Sequence, residues 1–208
     1  MMLNFSALVK QHNIKTRGVI QLGSHYWQEK DMLIKLGIRN FVLVEPQKHA
    51  FSVTKEKSAD IPNVVLFNCA VGDEEGKFVM QCDETNQGQS SSLLTAKKHL
   101  EKYPSIQFTR KEEVDVKLLD NLDFNRRNYN VIICDLQGAE LKMLRGATNT
   151  LQYIDAIYTE VNFIEMYDGC VLVEELDRFL SLFNFKRVAT GENHNNQGWS
   201  DALYIKYE

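Results

Sequence analysis

Three runs constrain the fold of this chain more than any other feature: Val19-Ile20-Gln21-Leu22, Phe41-Val42-Leu43-Val44 and Val131-Ile132-Ile133-Cys134. Each is too short for a helix and nearly continuous in apolar residues, the pattern of a strand buried on both faces. Stretches with helical spacing lie between the strand-like runs; from Trp27 to Leu36 the apolar residues Trp27, Met32, Leu33 and Leu36 recur, and Gly37 marks a stop. Strands alternating with helices predict a mostly parallel sheet with helices on both faces. In an open sheet of that kind ligands meet the carboxyl ends of the strands, so the residues just past each run are where chemistry is expected.

Taken in order, the pattern predicts a helix over 5–12, strands over 18–23 and 41–44, a helix over 51–57 and a third strand over 64–71. A hairpin strand over 77–82, a strand over 114–120, strands over 156–162 and 185–189, a helix over 173–182 and a last strand over 202–206 complete it. The polar stretch 83–92, with Asn86, Gly88 and three consecutive serines, suits either a mobile lid over a site or plain surface loop. Lys97, Lys98, His99 and Lys102 read as the solvated face of a helix.

At 208 residues, 44% of them hydrophobic and only three of them proline, the chain fits one domain over 1–208 with a sizeable core and no long linker. A net charge of -4 with a pI near 5.8 argues against a surface built to neutralise many phosphates, so nucleic acid is not the expected partner. The cysteines at 69, 82, 134 and 170 form no Cys-x-x-Cys pair, which argues against zinc or a disulfide framework. No signal-peptide pattern opens the chain and no run approaches membrane-spanning length, so a cytoplasmic protein without a membrane span is expected.

Glu45 closes the second strand 22 positions after Gly23, the place from which a carboxylate reaches a ribose diol. Gly23 is followed by Ser24-His25-Tyr26-Trp27-Gln28, without the further glycines that would let a backbone close on a pyrophosphate. A ligand with a ribose and no phosphates needs no such cradle, and S-adenosylmethionine is the common cofactor of that description. Its carboxylate would use amides near the helix start, and Asn68, Cys69 and Ala70 would edge its adenine pocket. At the fourth buried strand, Asp135 and Gln137 project where cofactor meets substrate; the alternative for Asp135 is a cap on the helix beginning near Ala139. Glu160 and Asn162 share one face of the next strand, because side chains alternate.

The run Asp135-Leu136-Gln137-Gly138-Ala139-Glu140, followed by Leu144-Arg145-Gly146-Ala147, resembles the FkbM family of S-adenosylmethionine-dependent methyltransferases. Glu45-Pro46, Cys69-Ala70-Val71, Ser91-Ser92-Leu93, the segment 114–120, Glu160 and Asp201-Ala202-Leu203 extend the resemblance across nearly the whole length. One departure is clear: the family's first motif usually begins with Asp and continues Gly-Ala-Asn or Gly-Ala-His, where this chain has Gln21 and Gly23-Ser24-His25. The resemblance implies a Rossmann-like α/β fold with a seven-stranded, mostly parallel sheet, its last strand antiparallel, and helices on both faces. It implies cofactor contacts from Gln21, Gly23, Ser24, His25, Glu45, Pro46, Asn68, Cys69, Ala70, Ser92 and Asp135. It also implies O-methylation of a small molecule or of a sugar or glycan hydroxyl, deoxysugars included.

Methyl transfer from a sulfonium to a hydroxyl is an in-line displacement that needs the oxygen held behind the methyl and its proton removed. Asp135 is the first candidate for proton removal, then Glu160, then His194 from a late loop. Gln137, Asn162 and Trp199 are the expected sugar contacts, by hydrogen bonding and by stacking. A second arrangement uses Asp135, Glu160 and Asn162 as oxygen ligands for a magnesium or manganese ion. A non-sugar acceptor, or a binding module that kept the fold and lost the chemistry, are the remaining alternatives.

Overall fold

The structure, a computed structural model, describes residues 3–193 and 196–207. Helix α1 (Phe5–Gln11) precedes β1 (Val19–Leu22), α2 (Lys30–Lys35), β2 (Phe41–Val44), α3 (Lys48–Ser58) and β3 (Val64–Phe67). There follow β4 (Ala70–Val71), β5 (Gly76–Cys82), α4 (Lys98–Lys102), β6 (Arg110–Lys117), β7 (Val131–Cys134) and α5 (Glu140–Arg145). The chain then forms β8 (Ala156–Asn162), α6 (Val173–Ser181), β9 (Phe185–Thr190) and β10 (Trp199–Lys206). Seven of the strands form one sheet in the order β3-β2-β1-β7-β8-β10-β9, in which β10 runs antiparallel to both its neighbours. The expected Rossmann-like sheet with an antiparallel last strand is therefore present.

Both faces of that sheet are buried. Ile20, Leu22, Val42, Val44, Ile132, Cys134 and Ile157 pack on one side with Leu141 and Leu144 of α5 and Leu176 and Leu180 of α6. On the other side Val19, Phe41, Leu43, Val131 and Ile133 meet Phe5, Leu8, Trp27 and Leu33. Successive strand residues feed opposite layers, which is why the runs are apolar throughout instead of alternating. Helix α6 docks through Val173, Leu176 and Leu180, at the spacing of one helical face.

Several boundaries differ from the sequence expectation: among them, α2 starts at Lys30 and not at Trp27, and β6 starts four residues earlier than expected and ends at Lys117. The run over 64–71 is two strands: Asn68 turns the chain, its Nδ2 donating to the carbonyls of Glu45 (2.9 Å) and Pro46 (3.1 Å), and β4 leaves to pair with β6. Strands β4, β6 and β5 form a separate three-stranded sheet, so 77–82 and 114–120 do not extend the main one. Helix α3 begins three residues earlier than expected, because its buried face is Ala50, Thr54 and Ser58, which carry little apolar signal. Strand β10 starts at Trp199, placing that residue in the sheet opposite Asn162 and not in a polar loop.

Candidate active site

The sheet changes winding direction at β1, with β2 on one side and β7 on the other, and a cleft of about 360 Å³ opens there at the strands' carboxyl ends. Gly23 lets the two strand-to-helix loops meet: at φ +72°, a Cβ on it would fall 2.2 Å from the Asp135 carbonyl oxygen. His25 and Trp27 also hold left-handed backbone, at φ 46° and 49°. Trp27 is kept there by burial of its indole edge-on against Phe41 at 5.2 Å.

The Glu45 carboxylate, at the tip of β2, spans this loop and its own. One oxygen accepts from the amide of His25 and the other from the amide of Gln47, each at 2.8 Å. Burial pushes its carboxyl up to about 7, against the pull of those two amides. The segment 83–92 closes the cleft from above. The Asp83 carboxylate ties it into a knot by accepting from the amides of Asn86 (2.7 Å), Gly88 (3.3 Å) and Ser90 (2.7 Å). It is fastened to the site by Gln47 Nε2 donating to Gly88 O (3.0 Å) and by Ser92 Oγ donating to Gln137 O (2.7 Å). His25 Nε2 donates to Gln87 O at 2.8 Å, and burial favours its neutral ring.

On the far side, Asp135 follows β7, open to the cleft but otherwise ringed by protein. That surrounding bulk pushes its carboxyl up to about 6, opposed by a 2.6 Å hydrogen bond from Gln137 Nε2 and reinforced by Asp201 and Glu29. Asp135 caps nothing: it is Glu140 whose Oε1 accepts from the amides of Leu136 (2.9 Å) and Gly138 (3.3 Å) before α5. Gln137 donates from the same Nε2 to Glu160 Oε2 (3.2 Å), while its Oε1 accepts from the Tyr167 hydroxyl (2.7 Å). Its amide is thus spent on positioning carboxyl groups and is not free for a sugar. Carboxylate oxygens of Asp135, Glu140 and Glu160 lie within 4.8 Å of one another. Burial drives Glu140 and Glu160 toward their protonated forms, and the backbone amides and Gln137 take up their oxygens. Gln137 Nε2 thus joins Asp135 to Glu160 while backbone amides hold Glu140, and the oxygen set that comes together is Asp135, Glu140 and Glu160, with Glu140 in the place expected for Asn162.

Among the expected site residues, Gln21, Gly23, His25, Glu45, Pro46, Cys69, Ala70, Ser92, Asp135 and Gln137 all line the cleft. Others lie beside it. Ser24 is buried, its amide donating to Val44 O (3.0 Å), Asn68 braces the backbone behind Glu45, and Glu160 and Asn162 are buried on β8. Trp199 is taken out of the site by its packing: its Nε1 donates to the Tyr103 hydroxyl at 2.9 Å within a cluster containing Ile164, Met166 and Tyr167. His99, expected on a solvated face, is buried against Tyr103, Phe108 and Tyr167. His194 lies outside the described residues.

The cleft also takes in Glu29 and Tyr158, which the sequence pattern does not single out, and Asp201, which belongs to the resemblance but carries no expected site role. Tyr158 donates its hydroxyl to Asp201 Oδ2 at 2.6 Å. The signal for Tyr158 is present in hindsight, since it is two residues from Glu160 on one strand face; Asp201 reaches the site only through antiparallel pairing of β10.

Residues 26–187 match the methyltransferase FkbM domain. Over 159 residues the chain is 26% identical to the 2-O-methyltransferase NoeI of Sinorhizobium fredii, covering 71% of this chain and 65% of that protein, so it spans under two thirds of the relative's length. In fold it is similar to the magnesium protoporphyrin IX methyltransferase of Synechocystis PCC 6803, with TM-score 0.55 and 8% identity over 97% of this chain and 76% of the other. It is likewise similar to a ribosomal protein L11 methylase of Lactobacillus delbrueckii subsp. bulgaricus, with TM-score 0.54 and 10% identity over 97% and 77%. With the matched segment running from the loop after β1 into β9 and enclosing most of the cleft, the chain belongs to the methyltransferase FkbM domain family.

Proposed function

We propose that this protein is an S-adenosylmethionine-dependent O-methyltransferase whose acceptor is a hydroxyl of a sugar or glycan. The observation that carries the reading is the cleft itself, with Glu45 at one end, Asp135 at the other, and no lysine or arginine lining it among the described residues. A carboxylate already holding two loop amides, with lone pairs to spare, suits a ribose diol, and the absence of cationic side chains from the lining suits a cofactor without phosphates. The residues present fit the cofactor in another respect: Gln21 Oε1 is buried without a hydrogen-bond partner beside the cleft. When bound, the cofactor supplies an electrophilic methyl group.

The chain's own residues would do the rest. Gly23 and, from the 83–92 segment, Gly88, Ser91 and Ser92 shape the cleft. Asp135, held by Gln137, accepts the proton of the acceptor hydroxyl as the oxygen attacks. Asp201 stands beyond it with a carboxylate that holds the Tyr158 hydroxyl at 2.6 Å, so an acidic pair borders the acceptor end of the cleft. The name of the Sinorhizobium relative supports oxygen as the methylated atom.

The test is incubation with methyl-labelled S-adenosylmethionine and a panel of glycosides, small-molecule alcohols and RNA, with label transfer measured by mass spectrometry. Label on a saccharide hydroxyl is the expected result. Transfer to RNA or a non-sugar alcohol alone would overturn the sugar assignment, and cofactor binding without transfer to any acceptor class would point to a binding module.

A further inference from the structure

We infer that Gln21 and Glu29 together seat the α-ammonium of the cofactor, with Glu29 supplying the negative charge. This rests on the proposal that the cofactor is S-adenosylmethionine. Gln21 is 3% exposed and lines the cleft from β1. Its Nε2 is committed to Glu29 Oε2 at 2.7 Å, which fixes the orientation of the amide and leaves Oε1 with no partner. A buried carbonyl oxygen without a donor has given up its hydration with nothing in return, so this atom calls for an N–H or O–H from a ligand.

Strand order says which part of the ligand arrives there. Along the cleft the lining residues follow the sheet: Glu45 after β2, Gln21 on β1, Asp135 after β7, Tyr158 on β8 and Asp201 on β10. With the ribose at Glu45, the next strand over, about 4.8 Å away, receives the amino-acid arm, and the acceptor lies further on. An ammonium brings three donors and a full charge. Gln21 offers a carbonyl oxygen, and Glu29, just before α2, offers a carboxylate already aligned by the Gln21 amide. The charge that an acidic residue at the tip of β1 would provide therefore comes from a neighbouring loop.

Calorimetric titration of the wild type, Glu29→Gln and the double variant Glu29→Gln/Gln21→Asp separates the outcomes, using S-adenosylmethionine, S-adenosylhomocysteine and 5′-methylthioadenosine, which lacks the amino-acid arm. Glu29→Gln should weaken the first two ligands by about tenfold or more and leave 5′-methylthioadenosine within about twofold. Gln21→Asp in that background should restore most of the loss by returning a carboxylate to the same seat. Unchanged affinity in Glu29→Gln, or equal loss for all three ligands, would overturn the assignment. So would unchanged cofactor affinity with a raised KM for the acceptor, which would give Glu29 to the acceptor instead. A wild type that binds none of the three ligands would remove the cofactor reading itself, an outcome distinct from failure of the seat.

Discussion

Two carboxyl groups define the chemistry, and their surroundings tune them differently. Asp135 is pushed up to about 6 by the protein around it, which brings it near the pH at which a general base works best. Turnover should rise with pH through about 6 as Asp135 ionises. Asp135→Asn should keep cofactor affinity, lose roughly a hundredfold in turnover and abolish that inflection. A variant retaining both turnover and inflection would transfer proton removal to another group. Glu45 serves binding: Glu45→Ala should weaken S-adenosylmethionine by about 1–3 kcal/mol, the scale of hydrogen bonds to a charged group. Calorimetry giving the wild-type affinity in a folded variant would take Glu45 out of the site.

Among the elements, the loop after β1 is the most tightly specified. Gly23 is required twice, by its left-handed backbone and by the approach of the Asp135 carbonyl, whereas His25 and Trp27 hold similar backbone at a steric cost. Gly23→Ala should therefore cost about 2 kcal/mol or more in denaturant melts and weaken the cofactor, since the β1 and β7 loops must part. A melt indistinguishable from wild type would show that the two loops have slack. The 83–92 segment illustrates the opposite economy: it has no regular structure, yet one side chain, Asp83, satisfies three of its amides.

Over the whole molecule, the cleft and the strand and helix start behind it gather acids whose ionisation burial opposes. Glu45, Glu140 and Glu160 all have their carboxyls raised above the ordinary range, Glu45 to about 7, by desolvation first. A group whose folded pKa is raised binds its proton more tightly when folded, so its contribution is complete below the unfolded value near 4.5 and is lost as pH climbs through the folded one. The cofactor-free protein should accordingly melt at a higher temperature at pH 5 than at pH 8. Glu140→Gln, which keeps an oxygen for the amides of Leu136 and Gly138, should flatten that slope. A Tm independent of pH over this range, or a slope the substitution leaves unchanged, would contradict it.

The sequence by itself determined the layered α/β architecture, because uninterrupted apolar strands have no stable place except between two helical layers. It also placed Glu45 and Asp135 at the cleft, since a strand's end is fixed by where its apolar run stops. What it left open depends on contacts between distant segments. Asn68 breaks a strand by bonding to carbonyls 22 and 23 residues away, and Trp199 is drawn from the site by a hydrogen bond to Tyr103. Gln137 carries the polar amide a sugar contact needs, yet Tyr167 and two carboxyls consume it. Asp201 enters the cleft only because β10 inserts antiparallel between β8 and β9. Local pattern decides which residues become strand and helix, whereas hydrogen-bond partners and site membership are set by register and crossover, which only the assembled sheet fixes.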